Sequence, residues 1–268
     1  MTEYITIQRL NRIAIITLNR PDRMNTFNEA MWHALAAVTV KIKEQMPRAL
    51  VVTGAGKAFS AGYDVNPDNP QVANMIDAVK NHDREAAMRL IAVIRGTIDD
   101  FISLPVPIIA AINGLAYGGG AEFAMRCDMR IADPGAVISF SEVKLGLMPD
   151  WGGGVVLSRL IGTAGAADLI LTGRKVSANT ALAMGLVNSV SKPGKALDDS
   201  IELAEMISKN GPRAVRYALA VIRACYDPSY ASALDFESEK AADLIASGEC
   251  VHGITAFLSK KEPEFPDE

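Results

Sequence analysis

The chain is poor in the residues that most often serve as nucleophiles, bases and metal ligands. Among 268 residues there are 3 Cys and 3 His. Cys127, Cys225 and Cys250 are odd in number and far apart, so neither a disulfide framework nor a zinc-ligand spacing is indicated. His33, His82 and His252 are scattered, which leaves little material for a Ser-His-Asp triad. No apolar run approaches the ~20 residues that cross a bilayer, so no membrane segment is expected. Lys and Arg never exceed two in a row, and 27 of them face 31 Asp and Glu for a net charge of −4. A surface for nucleic acid or anionic lipid is therefore not expected. The opening Met-Thr-Glu-Tyr has neither a basic region nor an apolar signal core, and the expected location is cytoplasmic.

What remains is a catalytic vocabulary of carboxylates and backbone amides on an ordinary globular composition. Apolar residues make up 49 % and charged residues 22 %, enough for one large domain or two small ones. Tyr4 to Gln8 and Ile13 to Leu18 read as paired strands joined at Asn11. Asn25 or Asn28 can cap a helix running to about Gln45, and Ala49 to Thr53 reads as a buried strand. Residues 65–82, with Pro67, Pro70 and several Asn, read as an irregular, mobile segment able to cover a pocket. Asp83 to Leu104 has helical periodicity. Asp128 to Ala132, Ala136 to Phe140 and Leu186 to Val190 read as strands. Val155 to Ile161, Thr163 to Leu171 and Ser177 to Met184 read as helices. After Lys195 the pattern is helical to Lys260. Strand–helix alternation predicts an α/β fold with crossover connections. The expected division is residues 1–195 as an α/β core and 196–268 as a helical region.

The chain is organised around residues 113–128. An apolar strand, Pro107 to Ile112, leads into Gly118-Gly119-Gly120 and then into helix-forming residues from Ala121. A glycine turn at a helix start offers free N–H groups and lets a ligand approach the backbone. Glu122 follows three residues after Gly119, on the same helix face. The same residues also suit a plain strand-to-helix turn with an acid favoured by the helix dipole. A second small-residue strand exit is Phe59-Ser60-Ala61-Gly62-Tyr63-Asp64. Gly56-Lys57 does not make a phosphate loop, because Val51 and Ala58 stand where Gly and Ser or Thr are needed. Glu142 and Asp150 lie further on, the latter in Leu145-Gly146-Leu147-Met148-Pro149-Asp150-Trp151.

Taken together, Phe59 to Asp64, Ala111-Ile112-Asn113-Gly114 with Gly118 to Glu122, and Glu142 with Leu145 to Pro149 resemble the crotonase, or enoyl-CoA hydratase/isomerase, family over nearly the whole chain. The resemblance implies a crotonase-like ββα spiral with a C-terminal helical trimerisation region, a homotrimer or a hexamer made as a dimer of trimers, and an acyl-CoA substrate. It implies an oxyanion hole from the N–H groups of Ala61 and Gly119. Glu122 and Glu142 match the pair that adds water to a 2-enoyl-CoA. Being in a first helical turn, Glu122 is expected to stay ionised and activate water, with Glu142 delivering the proton. Asp150-Trp151 departs from the hydratase pattern. Asp150 matches the position of a catalytic acid in isomerases of the family, and it also suits a polar contact to a functionalised acyl chain or a helix cap. The alternatives that stay open are an enoyl-CoA or dienoyl-CoA isomerase using Asp150 and Glu142, thioester hydrolysis or C–C cleavage, and a non-catalytic CoA-binding homologue. Tyr63 and Trp151 are bulky for their positions and are expected to narrow the acyl pocket or to add a hydroxyl to it. The CoA is expected along Arg23, Met24, Gly62, Tyr63 and Asp64, with Phe257 and Lys260 supplied by a neighbouring subunit. No metal or separate cofactor is implied, since coenzyme A is part of the substrate.

Overall fold

The computed structural model describes residues 3–267. Strands β1 (Ile5–Leu10) and β2 (Ile13–Leu18) form an antiparallel hairpin, turned at Asn11 with φ +51°. Helix α1 (Glu29–Glu44) begins where the Asn28 side chain accepts the Met31 N–H at 3.0 Å. It leads to β3 (Ala49–Gly54), every residue of which is buried. Such an unbroken apolar strand is what a parallel sheet covered on both faces requires.

From β3 onward the chain repeats one move. A strand in a first sheet is followed by a short strand in a second sheet, and a helix carries the chain back. The pairs are β3 with β4 (Ala58–Ser60), β5 (Ile108–Ile112) with β6 (Leu115–Tyr117), and β7 (Met129–Ala132) with β8 (Val137–Ser139). With β9 (Lys175–Ser177) and β10 (Ser189–Val190), they form a six-stranded sheet ordered β1-β2-β3-β5-β7-β10 and a four-stranded sheet ordered β4-β6-β8-β9. The three turns of this ββα spiral are bridged by parallel pairings, β3 to β5 to β7 and β4 to β6 to β8. Asn113 ties two turns together, its amide donating to Gly54 O at 2.8 Å and Gly56 O at 3.0 Å.

Alternation along the central strands feeds two cores. Ala14, Ile16, Leu50, Val52, Ile108 and Ala110 face the core under the second sheet and helices α1, α3 (Arg84–Ile102) and α4 (Gly119–Arg126). Ile13, Ile15, Ala49, Val51, Ile109 and Ala111 face the other way, onto α7 (Ala196–Ser208) through Ala204. Helix α7 thus still covers the sheet. The expected boundary at 195 falls just before it, and the helices that stand clear of the sheets are α8 (Pro212–Ala224), α9 (Tyr230–Ser247) and α10 (Glu249–Leu258).

Two expectations change. The segment taken as irregular contains helix α2 (Pro70–Lys80). Asn69 caps it and Pro70 occupies the first turn, where a missing N–H costs nothing. The helices expected on either side of Gly162 are both present within the run α5 (Gly153–Thr172), parted at Gly162 by a non-helical φ +74° and ψ 163°. By length and composition alone that run is long and apolar enough to cross a membrane, contrary to the expectation of no such stretch. It carries Arg159 and Asp168, and Asp168 pairs with Arg174. The remaining helix, α6 (Ala178–Met184), is capped by Ser177.

Candidate active site

The two glycine-containing strand exits meet. Gly62 takes φ +86°, and a Cβ on it would lie 2.8 Å from the Gly119 nitrogen, so only glycine allows this approach. Residue 63 pairs with residue 27 as an isolated parallel bridge. Phe27 N–H donates to Gly62 O at 2.8 Å and Asp64 N–H donates to Phe27 O at 2.9 Å. The peptide of Tyr63 therefore faces away from Phe27.

This geometry revises the expected oxyanion donors. The Ala61 N–H is already given to Met24 O at 2.9 Å, and the Gly62 N–H to Ser60 Oγ at 3.1 Å. Among the described residues, the amide of Tyr63 is the one from 61 to 64 left without an acceptor. Gly119 opens α4, so its N–H belongs to the unpaired first turn of that helix. The face of the Trp151 ring packs against Gly119, and a Cβ there would meet it at 2.6 Å.

Ala61, Tyr63, Gly119, Glu122, Glu142, Asp150 and Trp151 all line one cavity of about 640 Å³. Glu122 is 1 % exposed. Its Oε2 accepts N–H bonds from Trp151 at 2.8 Å and Gly153 at 2.7 Å. Glu142 comes from a short 3₁₀ turn, Glu142–Leu145, that follows β8. Its carboxyl faces that of Glu122, and no N–H of another residue donates to it. Burial, then the Glu142 charge, pushes the Glu122 carboxyl up to about 9 against the pull of the Gly153 N–H. Burial also raises Glu142, with Asp150 adding to it, and burial raises Asp150. Desolvation thus raises both carboxyls, and near neutrality the pair retains a proton.

Other expected residues have different duties. Trp151 is 3 % exposed and stands edge-on to Phe27 at 5.5 Å and Trp32 at 4.8 Å. It is a packed wall behind Gly119 more than a constriction. The Tyr63 hydroxyl is buried beside the Asn69 side chain. Burial raises it to about 12, with Asn69 pulling it down and the Asp64 and Asp150 charges adding to the rise. Asp64 is buried and tied to Arg20 at 2.8 Å and to the Asn66 amide at 2.6 Å. Burial pushes its carboxyl up, yet these bonds outweigh it and hold the group below its ordinary value. It braces the loop. Arg23, Met24 and Gly62 lie outside the cavity, beside the strand exit that Met24 O holds, and Arg23 pairs with Asp68 at 3.3 Å. Phe257, 81 % exposed, and Lys260, at the end of α10, do not line this chain's own cavity.

Two features had no sequence signal. Arg126, one helical turn beyond Glu122, donates to Trp151 O at 3.1 Å and pairs with Asp99 at 2.6 Å. Asn25, fully buried, donates to Ala55 O and Ala58 O and accepts the Arg20 N–H at 2.8 Å.

The sequence profile of a family described as enoyl-CoA hydratase/isomerase matches residues 8–268. The chain belongs to the enoyl-CoA hydratase/isomerase family. It is 33 % identical over 263 residues to a short-chain-enoyl-CoA hydratase of Clostridium acetobutylicum, covering 97 % of this chain and 96 % of that one. The crystal structure of an enoyl-CoA hydratase from Bacillus anthracis superposes with a TM-score of 0.90 at 34 % identity, over 99 % of this chain and all of that one. One from Mycobacterium smegmatis does so with a TM-score of 0.86 at 31 % identity, over 97 % and 98 %. The crotonase-like fold and the membership of a hydratase/isomerase enzyme family expected from the motifs are thereby shown.

Proposed function

We propose that the protein is an enoyl-CoA hydratase, adding water across the 2,3 double bond of a 2-enoyl-CoA. The observation that carries the reading is two carboxyls with raised proton affinity, Glu122 and Glu142, in one cavity with the first-turn amide of Gly119. The thioester oxygen accepts the N–H groups of Gly119 and Tyr63, the latter in place of Ala61. As water oxygen bonds to C3, the C2–C3 π pair moves toward the thioester and charge grows on that oxygen. Two fixed donors, one at the positive end of α4, stabilise it, each worth ~3–4 kcal/mol. The ionised carboxyl of the pair takes the proton that water loses. The protonated one gives its proton to C2. One proton remains on the pair at the end, as at the start.

The CoA runs out past Met24 and Arg23, and α10 of a neighbouring copy supplies Phe257 and Lys260. Exposed apolar residues on the helices clear of the sheets, among them Tyr230, Ile254, Phe257 and Leu258, support such an assembly. The test follows the conjugated-thioester absorbance of a 2-enoyl-CoA. The parent protein removes it, and Glu122→Gln and Glu142→Gln each slow that by ~10²–10⁴-fold. Unchanged rates in both variants overturn the reading. A second reading, double-bond isomerisation, has support in Asp150, which lines the same cavity with its carboxyl raised by burial. It predicts that a 3-enoyl-CoA gains conjugation and that Asp150→Asn abolishes this gain.

A further inference from the structure

The cavity extends well beyond the reacting groups. None of its lining comes from Arg23 or Met24, the residues expected along the CoA. Past the carboxyls it runs between α2 and α3. There its walls are Met75, Ala78 and Val79 on one helix and Ala87, Leu90 and Ile91 on the other. The polar residues at its rim already serve the turn between those helices. Asp83 caps α3 through the Ala86 N–H at 2.9 Å, and Arg84 faces Glu85 at 3.6 Å. Asn74 and His82 add polar edges, and the walls between are the six apolar side chains just named.

We infer that the acyl group this site takes is an extended apolar chain, about eight carbons or more, seated in the slot between α2 and α3. This rests on the acyl-CoA reading above. A methylene takes roughly the room of a water molecule, ~30 Å³. A four-carbon acyl group then fills about a fifth of the 640 Å³ and leaves the α2–α3 lining bare. Apolar walls of that extent reward each further buried methylene by about fourfold in affinity. The small side chains Ala78 and Ala87 give a flexible chain its width. The Clostridium acetobutylicum relative is named for short chains; the cavity here fits a longer one.

The test compares kcat/KM for four-carbon and ten-carbon 2-enoyl-CoA thioesters. The parent protein is expected to favour ten carbons by about a hundredfold or more. Ala87→Phe and Ile91→Trp each cut that ratio by about tenfold or more. The ratio does not depend on the fraction of protein that folds. A parent ratio of one or less, or a ratio that neither variant moves, overturns the inference. If neither thioester turns over, the hydratase reading fails, and calorimetric binding of saturated four-carbon and ten-carbon acyl-CoA decides the slot separately. Tighter binding of the longer chain supports it, and equal affinities overturn it.

Discussion

A carboxyl that is buried, faces a second carboxyl and accepts two amide bonds is pulled in opposite directions. At Glu122 burial and the neighbouring charge win, raising it to about 9 from an ordinary 4.5. The folded protein therefore holds a proton there between those values that the unfolded chain has released. Stability contributed by this group is fully present below pH 4.5 and is lost as pH rises toward 9. Gln accepts the same two N–H bonds without a charge. Glu122→Gln should therefore raise the midpoint of thermal unfolding at pH 8 and leave it nearly unchanged at pH 4.5, a Tm gain equal at both values counting against it. The same shift predicts the alkaline limb of kcat/KM for the parent protein near pH 9, where the shared proton leaves.

The element that organises the site is the short stretch from Asp150 to Gly153. It supplies both N–H donors to Glu122, the ring behind Gly119 and the third carboxyl. It is clasped from below by Arg126 on the helix that carries Glu122. Arg126→Ala should lower kcat by ~10–100-fold with KM changed only a few-fold, because a misplaced catalytic group costs turnover before it costs binding. Arg126→Lys should recover part of it in steady-state kinetics, and an unchanged kcat in the alanine variant would remove Arg126 from the positioning role. Much at this scale was legible from local pattern. The strand into Gly118-Gly119-Gly120, the helix after it and the cap at Asn28 all carry their own signals. Of the second sheet only β8 was legible, inside the apolar run 136–140, since β4, β6 and β9 have three residues each, too few to show alternation. Helix α2 hid behind Pro70 and its neighbouring Asn residues, the very residues that start it. The choice between the Ala61 and Tyr63 amides depends on pairing with Phe27, far earlier in the chain.

For the whole molecule, the α8–α10 helices leave Ile222, Tyr230, Ile245, Val251, Ile254, Phe257 and Leu258 exposed, more apolar surface than a lone chain usually carries. Light scattering on the eluted protein is expected to give a mass three or six times the 28.6 kDa of one chain. A mass of 28.6 kDa would count against the proposal that a neighbouring copy supplies Phe257 and Lys260. Sequence by itself determined the strand–helix alternation, because buried strands, glycine turns and helix faces are written in short-range periodicity, and its motifs, by their resemblance to the family, pointed to the spiral and the acids. Tertiary structure alone decided which amide is free, that the carboxyl pair keeps a proton and how far the cavity extends. Those depend on which distant groups share a small, dry space, and no local pattern records that.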